Sequence, residues 1–107
     1  MGLEKTKKQP FERYFVYGDF AKVMEAEETL DAENINTTVT AIDLADDSDA
    51  TGIVVDTPSM YVDNDTKRLY IRLIDGVDGK DYQFTIRVET SIGNRWEVDG
   101  ILDVDEV

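Results

Sequence analysis

The sequence holds no cysteine and no histidine. The first absence removes disulfides and thiolate metal sites. The second removes Ser-His and Cys-His catalysis and imidazole–zinc sites. Proline is rare, with Pro10 and Pro58 the two in the chain. No apolar run approaches the roughly 20 residues that cross a bilayer as a helix. The N-terminal lysines are followed by no hydrophobic segment, so no secretory signal is expected. Positive charge is also scarce: 11 Lys and Arg stand against 24 Asp and Glu, a net charge of −13. Phosphate binding needs clustered bases, so neither nucleic acid nor an anionic membrane is expected as a partner.

What remains is a chain of 107 residues, 41 % hydrophobic, with five Tyr, four Phe and one Trp. That suits one folded domain; two would each be too small to bury a core. The expected division is a flexible N-terminal tail over 1–9 and a single domain over 10–107. Charge is unevenly spread. Residues 1–22 are net +2, residues 23–66 hold 12 acids and no base, and residues 67–107 are net −3. The acidity therefore belongs to one stretch.

Period-two alternation dominates. Phe11, Phe15 and Tyr17 fall on one face of an expected first strand, and Asp19 is placed to cap a short turn carrying Phe20, Val23 and Met24 inward. Ile35, Thr37, Val39 and Ala41 alternate next. Ile53-Val54-Val55 reads as a short strand, and Pro58 excludes a central ladder position nearby. Leu69, Ile71 and Leu73 alternate with Arg68, Tyr70 and Arg72. Tyr82, Phe84, Ile86 and Val88 give the longest clean alternation, Gly93-Asn94 marks a hairpin turn, and Gly100 is read as a bulge. Phe11, Phe15, Phe84 and Trp96 are expected in the core, with Tyr14, Tyr61 and Tyr70 outward. About seven short strands, without a helix of three turns, predict an all-β, immunoglobulin-like β-sandwich of Greek-key type.

One local pattern sharpens that class. Asp78-Gly79-Lys80-Asp81-Tyr82-Gln83-Phe84 sets an Asp four residues before a Tyr and an apolar residue two after it. Immunoglobulin-like domains use this corner before the penultimate strand: the Tyr hydroxyl bonds back to the corner backbone and the residue two on points inward. Tyr82 is thus expected to be structural.

The run Tyr82-Gln83-Phe84-Thr85-Ile86-Arg87-Val88-Glu89-Thr90-Ser91-Ile92-Gly93-Asn94-Arg95-Trp96-Glu97 resembles the C-terminal hairpin of small phage and prophage structural proteins, Y-x-I-T-x-x-V-x-T-S-x-G-x-x-x-E. Glu28-Thr29-Leu30 and Thr38-Val39-Thr40-Ala41 are similar to that group's E-T-I and T-V-T-A segments. The likeness spans roughly residues 10–104, and the Asp-rich loop at 43–49 departs from the group's shorter loops. It implies an immunoglobulin-like domain without catalytic residues, acting in virion or tail assembly like the phage fibre–tail adaptor proteins. Other virion or tail proteins are then the expected partners, and the virion or the bacterial cytoplasm the expected location.

Site chemistry is thin. No catalytic or cofactor-binding residue is expected, because Ser48, Ser59 and Ser91 have no histidine to activate them and no glycine pattern forms a phosphate loop. Asp47, Asp49 and Thr51-Gly52 mimic the start of an EF-hand, but Pro58 stands where the bidentate Glu belongs. No metal is therefore expected, and Asp43, Asp46, Asp47 and Asp49 remain only as candidates for a loose calcium loop. Met1-Gly2-Leu3-Glu4-Lys5-Thr6 fits the N-myristoylation pattern, but is read as plain tail. The leading function is a non-enzymatic phage structural or assembly protein. The alternatives are an acidic decoy of nucleic acid, set by the 23–66 stretch, and a calcium- or carbohydrate-binding sandwich.

Overall fold

The structure, a computed structural model, describes residues 4–106. Gly2, the acceptor of the myristoylation pattern, lies outside them. Seven strands and one short helix follow in order: β1 (Glu4–Lys8), β2 (Tyr14–Asp19), β3 (Thr38–Asp43), α1 (Thr51–Val54), β4 (Val55–Asp63), β5 (Arg68–Leu73), β6 (Lys80–Glu89) and β7 (Arg95–Val104). They form a four-stranded sheet, β1-β7-β6-β3, and a three-stranded sheet, β2-β5-β4. The seven strands thus make a two-sheet sandwich, with β5 central in one sheet and β7 and β6 central in the other. The first strand lies beside the last.

The core is the two inward rows that the alternation predicts. Leu69, Ile71 and Leu73 of β5 are fully buried, as are Tyr82, Ile86 and Val88 of β6, with Phe84 close behind. Leu102, Val104, Val39 and Ala41 complete the four-stranded side. Phe20 and Met24 close one end from a single turn, in which the Val23 and Met24 amides both donate to the Phe20 carbonyl. Asp19 accepts the Ala21 amide at 3.0 Å, the expected cap. Each fully buried Leu or Ile contributes about 1.5–3 kcal/mol.

The predicted corner is present. The Val77 amide donates to the Tyr82 hydroxyl at 3.1 Å, and Tyr82 is buried. The β6–β7 hairpin closes through Thr90 and Asn94, the Thr90 amide donating to the Asn94 carbonyl at 2.8 Å. Pro58 lies in β4, an edge strand, where the register slips between Asp56 and Tyr61.

Six expectations are corrected. Residues 4–8 are not loose tail: they pair in parallel with Gly100–Val104, because an unfilled β7 edge offers main-chain partners to any extended segment. The face of β2 is reversed. Register with β5 puts Phe15 opposite Arg72 and Tyr17 opposite Tyr70, outward, while Tyr14 and Val16 share the side of Leu73 and Ile71. At Gly18 the inner side has no room for a side chain, since a Cβ there would meet Phe20 and Val98 at 3.0 Å. Phe11 lies before β2 in the turn and is 96 % exposed. Ile35 is likewise exposed, because β3 starts only at Thr38. Ile53 and Val54 belong to α1, and Val55 alone opens β4.

Gly100 makes no bulge. The β6–β7 register runs unbroken through the Phe84–Gly100 pair, and the glycine is needed because the Phe84 ring lies flat over its Cα, where a Cβ would overlap it. Gly100→Ala is therefore expected to lower stability by about 1–3 kcal/mol through overpacking, read in urea melts. Phe84→Leu should recover part of that loss in the double variant, since neighbouring sites couple.

Candidate functional site

The outer faces of the two sheets carry different chemistry. On the four-stranded sheet, acids and bases are paired across strands. Arg87 meets Glu97 at 2.5 Å, Arg95 meets Glu89 at 2.8 Å, and the Thr85 hydroxyl donates to Asp99 at 2.7 Å. These are solvated pairs of small individual worth.

The three-stranded sheet instead presents four aromatic rings. Phe15 and Tyr17 come from β2, Tyr70 from β5 and Tyr61 from β4, and the registers Tyr17↔Tyr70 and Tyr61↔Tyr70 set three tyrosines in one row across the sheet. Tyr61 and Tyr70 stack with centroids 4.8 Å apart and planes 8° from parallel. Phe15 meets Tyr61 edge-on at 5.5 Å, and Tyr17 lies 5.6 Å from Tyr70. Arg68 and Arg72 flank Tyr70 at alternate positions of β5. The Arg68 guanidinium lies 4.2 Å over the Tyr17 ring and that of Arg72 4.8 Å over Phe15. Phe15, Tyr17 and Tyr61 remain 40 %, 49 % and 46 % exposed.

Local structure fixes the arginines. Asp19 holds Arg68 at 3.3 Å and Asp56 holds Arg72 at 3.7 Å. Hydrogen bonding to Tyr70, then to Asp19, pushes the Arg68 guanidinium further above its already high range. Where the β4 register slips, the Ser59 hydroxyl takes the place of the ladder: it accepts the Arg72 amide at 2.9 Å and donates to the Asp56 carbonyl at 2.6 Å. Planar arginines locked on rings, beside tyrosines, are the groups that dominate protein interfaces.

Sequence reasoning placed Tyr61 and Tyr70 outward but assigned Phe15 to the core, and so missed the cluster. The available signal was Arg68-Leu69-Tyr70-Ile71-Arg72, an outward row of large planar groups.

The acidic loop behaves differently. The Asp43 carboxylate accepts from Lys80 Nζ at 2.6 Å and from the Ala45 amide at 2.9 Å. Asp46 accepts both the amide and hydroxyl of Ser48, and Asp49 both the amide and hydroxyl of Thr51. Asp47 sits at φ +59° in the turn. Asp43, Asp46 and Asp49 thus each accept an amide of their own loop through Oδ1, as Asx turns. No three Asp or Glu side chains converge as a metal site among the described residues. The Lys80 hydrogen bond, helped by the Ala45 amide, holds Asp43 below the usual carboxylate range, and Asp43 in turn raises Lys80.

Both shifts favour the charged pair. Its stabilisation is complete from about pH 4 to about pH 10, the unfolded values. It is lost as pH falls through the lowered Asp43 value, or rises through the raised Lys80 value. Asp43→Asn is thus expected to melt below wild type at pH 7, and the gap in Tm should narrow as pH falls below about 4, the unfolded value, followed by circular dichroism.

No helix among the described residues is long and apolar enough to cross a membrane. No curated protein matches this chain. A family model does, that of the podophage GP4 fiber-tail adaptor protein gp77, over residues 8–103. That match takes in all of β2 to β6 and nearly all of β7, with the corner, the hairpin and the aromatic face. By that coverage the chain belongs to the podophage GP4 fiber-tail adaptor protein gp77 family.

Proposed function

We propose that the protein is a non-enzymatic tail component that joins other virion proteins by direct contact, and that the outer face of β2-β5-β4 makes one of those contacts. The observation that carries this reading is the contrast between the two faces. One is an ion-pair ladder suited to water; the other sets Phe15, Tyr17, Tyr61 and Tyr70 beside stacked Arg68 and Arg72. Burying such a surface against a partner gains apolar area at little entropic cost, because the side chains already hold one another.

The geometry disfavours the carbohydrate alternative. Sugar platforms offer open ring faces. Here the stack takes one face each of Tyr61 and Tyr70, and an arginine lies over one face of Tyr17 and of Phe15. The decoy alternative asks for one continuous acidic stripe. Of the 12 acids of residues 23–66, five lie in the β2–β3 connection and three in the β3–α1 connection at the other end of β3, while Asp43, Asp56, Asp63 and Asp65 sit on β3, on β4 and in the β4–β5 turn.

The test is incorporation into phage particles. Tyr70→Ala and Arg72→Glu are expected to fold, since both side chains are outside the core, and each should cost about 2 kcal/mol or more of docking, roughly 30-fold. Arg87→Glu on the opposite face is the control and should leave incorporation unchanged. Equal amounts of all three variants in purified particles would refute the assignment of the face.

A further inference from the structure

Strand β1 is held unlike any other element. It pairs only with β7, in parallel, Lys5 to Lys8 facing Ile101 to Val104. It places no apolar residue in the core: Thr6 and Lys8 are its inward positions. Its remaining anchors are polar as well. The Tyr14 hydroxyl donates to the Lys7 carbonyl at 2.6 Å, and the Asp105 amide to the Lys8 carbonyl at 2.9 Å.

Lys8 is the unusual one. It is 2 % exposed, and its ammonium donates to the carbonyls of Gln9, Pro10 and Asp75 rather than to a carboxylate. A buried cation held by carbonyl dipoles, with only the more distant charges of Asp75 and Glu12 to help, is an expensive anchor. Beside Thr6, a groove of 210 Å³ stays open between β2 and β7, its lining mixed, with Val16, Phe84 and Val98 beside Tyr17 and Asp99. The strand therefore underfills the place it occupies.

We propose that β1 is an exchangeable strand: the β7 edge of one copy receives the β1 of a second copy, linking copies through this strand. The argument for a second copy as occupant is charge. Residues 1–22 are net basic, at +2, while residues 23–107 together carry −15. Two copies repel over most of their surface, but the Lys5-Thr6-Lys7-Lys8 strand of one is attracted to the acidic β7 edge of the other. Within one copy the same attraction is visible as Lys5 on Asp103, 3.7 Å. The connection that must open is the turn of residues 9–13. It holds Pro10 and an exposed Phe11, and is closed mainly by reciprocal Gln9–Glu12 hydrogen bonds at 2.7 and 3.0 Å. Nothing in it packs into the core, so opening it costs few buried contacts, as strand swapping requires.

The absence of cysteine makes the test direct. Lys7 and Asp103 are register partners. Full-length chains carrying only Lys7→Cys are mixed with chains carrying only Asp103→Cys, then oxidised gently; circular dichroism confirms that each folds. The control mixture pairs Lys7→Cys with Asp65→Cys in the β4–β5 turn. Exchange predicts a reducible interchain dimer that grows with mixing time to several times the control level. A yield equal to the control overturns the proposal. As a second arm, the double variant Lys7→Cys/Asp103→Cys, oxidised before mixing, locks β1 at home. Wild type should form concentration-dependent assemblies in sedimentation that this locked chain does not. Identical sedimentation of the two as monomers also overturns it.

Discussion

The inward row Tyr82, Phe84, Ile86 and Val88 is the constraint on which the rest of this sandwich depends. Tyr82 ties its hydroxyl to the Val77 amide and so fixes where β6 begins. Phe84 spreads over Gly100 and forces the neighbouring strand to carry glycine at that level. The row packs against Leu69, Ile71 and Leu73 of the facing sheet, and both rows are nearly dry. With that volume filled, β2 has only narrow space inward, at Val16 and Gly18. Its Phe15 and Tyr17 rings go outward. The aromatic face is in that sense a consequence of core packing: with Phe20 and Val98 crowding the inner side at Gly18, these rings meet the arginines of β5 on the other.

The two outer faces then divide the surface between solubility and contact. On β6 and β7, pairs such as Arg87–Glu97 neutralise one another and keep that side wet. On β2, β5 and β4, Asp19 and Asp56 do not neutralise exposed bases so much as steer Arg68 and Arg72 onto rings. The Asp loop serves a third purpose. Its carboxylates cap backbone amides through 43–51, replacing hydrogen bonds that a wide connection between β3 and α1 would otherwise leave to water. The same residue type therefore solubilises, orients and builds turns, according to its neighbours.

Much of this was legible in the chain. The second half alternates so regularly that β5, β6 and β7, the corner and the Gly93-Asn94 hairpin could be read nearly to the residue. Pattern was weaker in the first half. Phe11, Phe15 and Tyr17 have the right period for β2, but period cannot say which face looks inward, and hydrophobicity pointed to the wrong one. For the Asp43–Asp49 loop, spacing showed the oxygens but not the amides that Asp43, Asp46 and Asp49 accept. Glu4–Lys8 looked like loose tail because a strand with no apolar alternation leaves no trace in sequence when main-chain pairing is its chief support.

The sequence by itself determined the class: strands from alternation, the corner from Asp78 and Tyr82, and, from missing histidine and cysteine, which chemistries are out of reach. These are local properties, set within a few residues of the side chains concerned. Only the tertiary structure decided which face of β2 is exposed, which ring meets which arginine, and where β1 rests. Those depend on registers between strands distant in the chain, and a shift of one residue in any register would turn the aromatic face into the core.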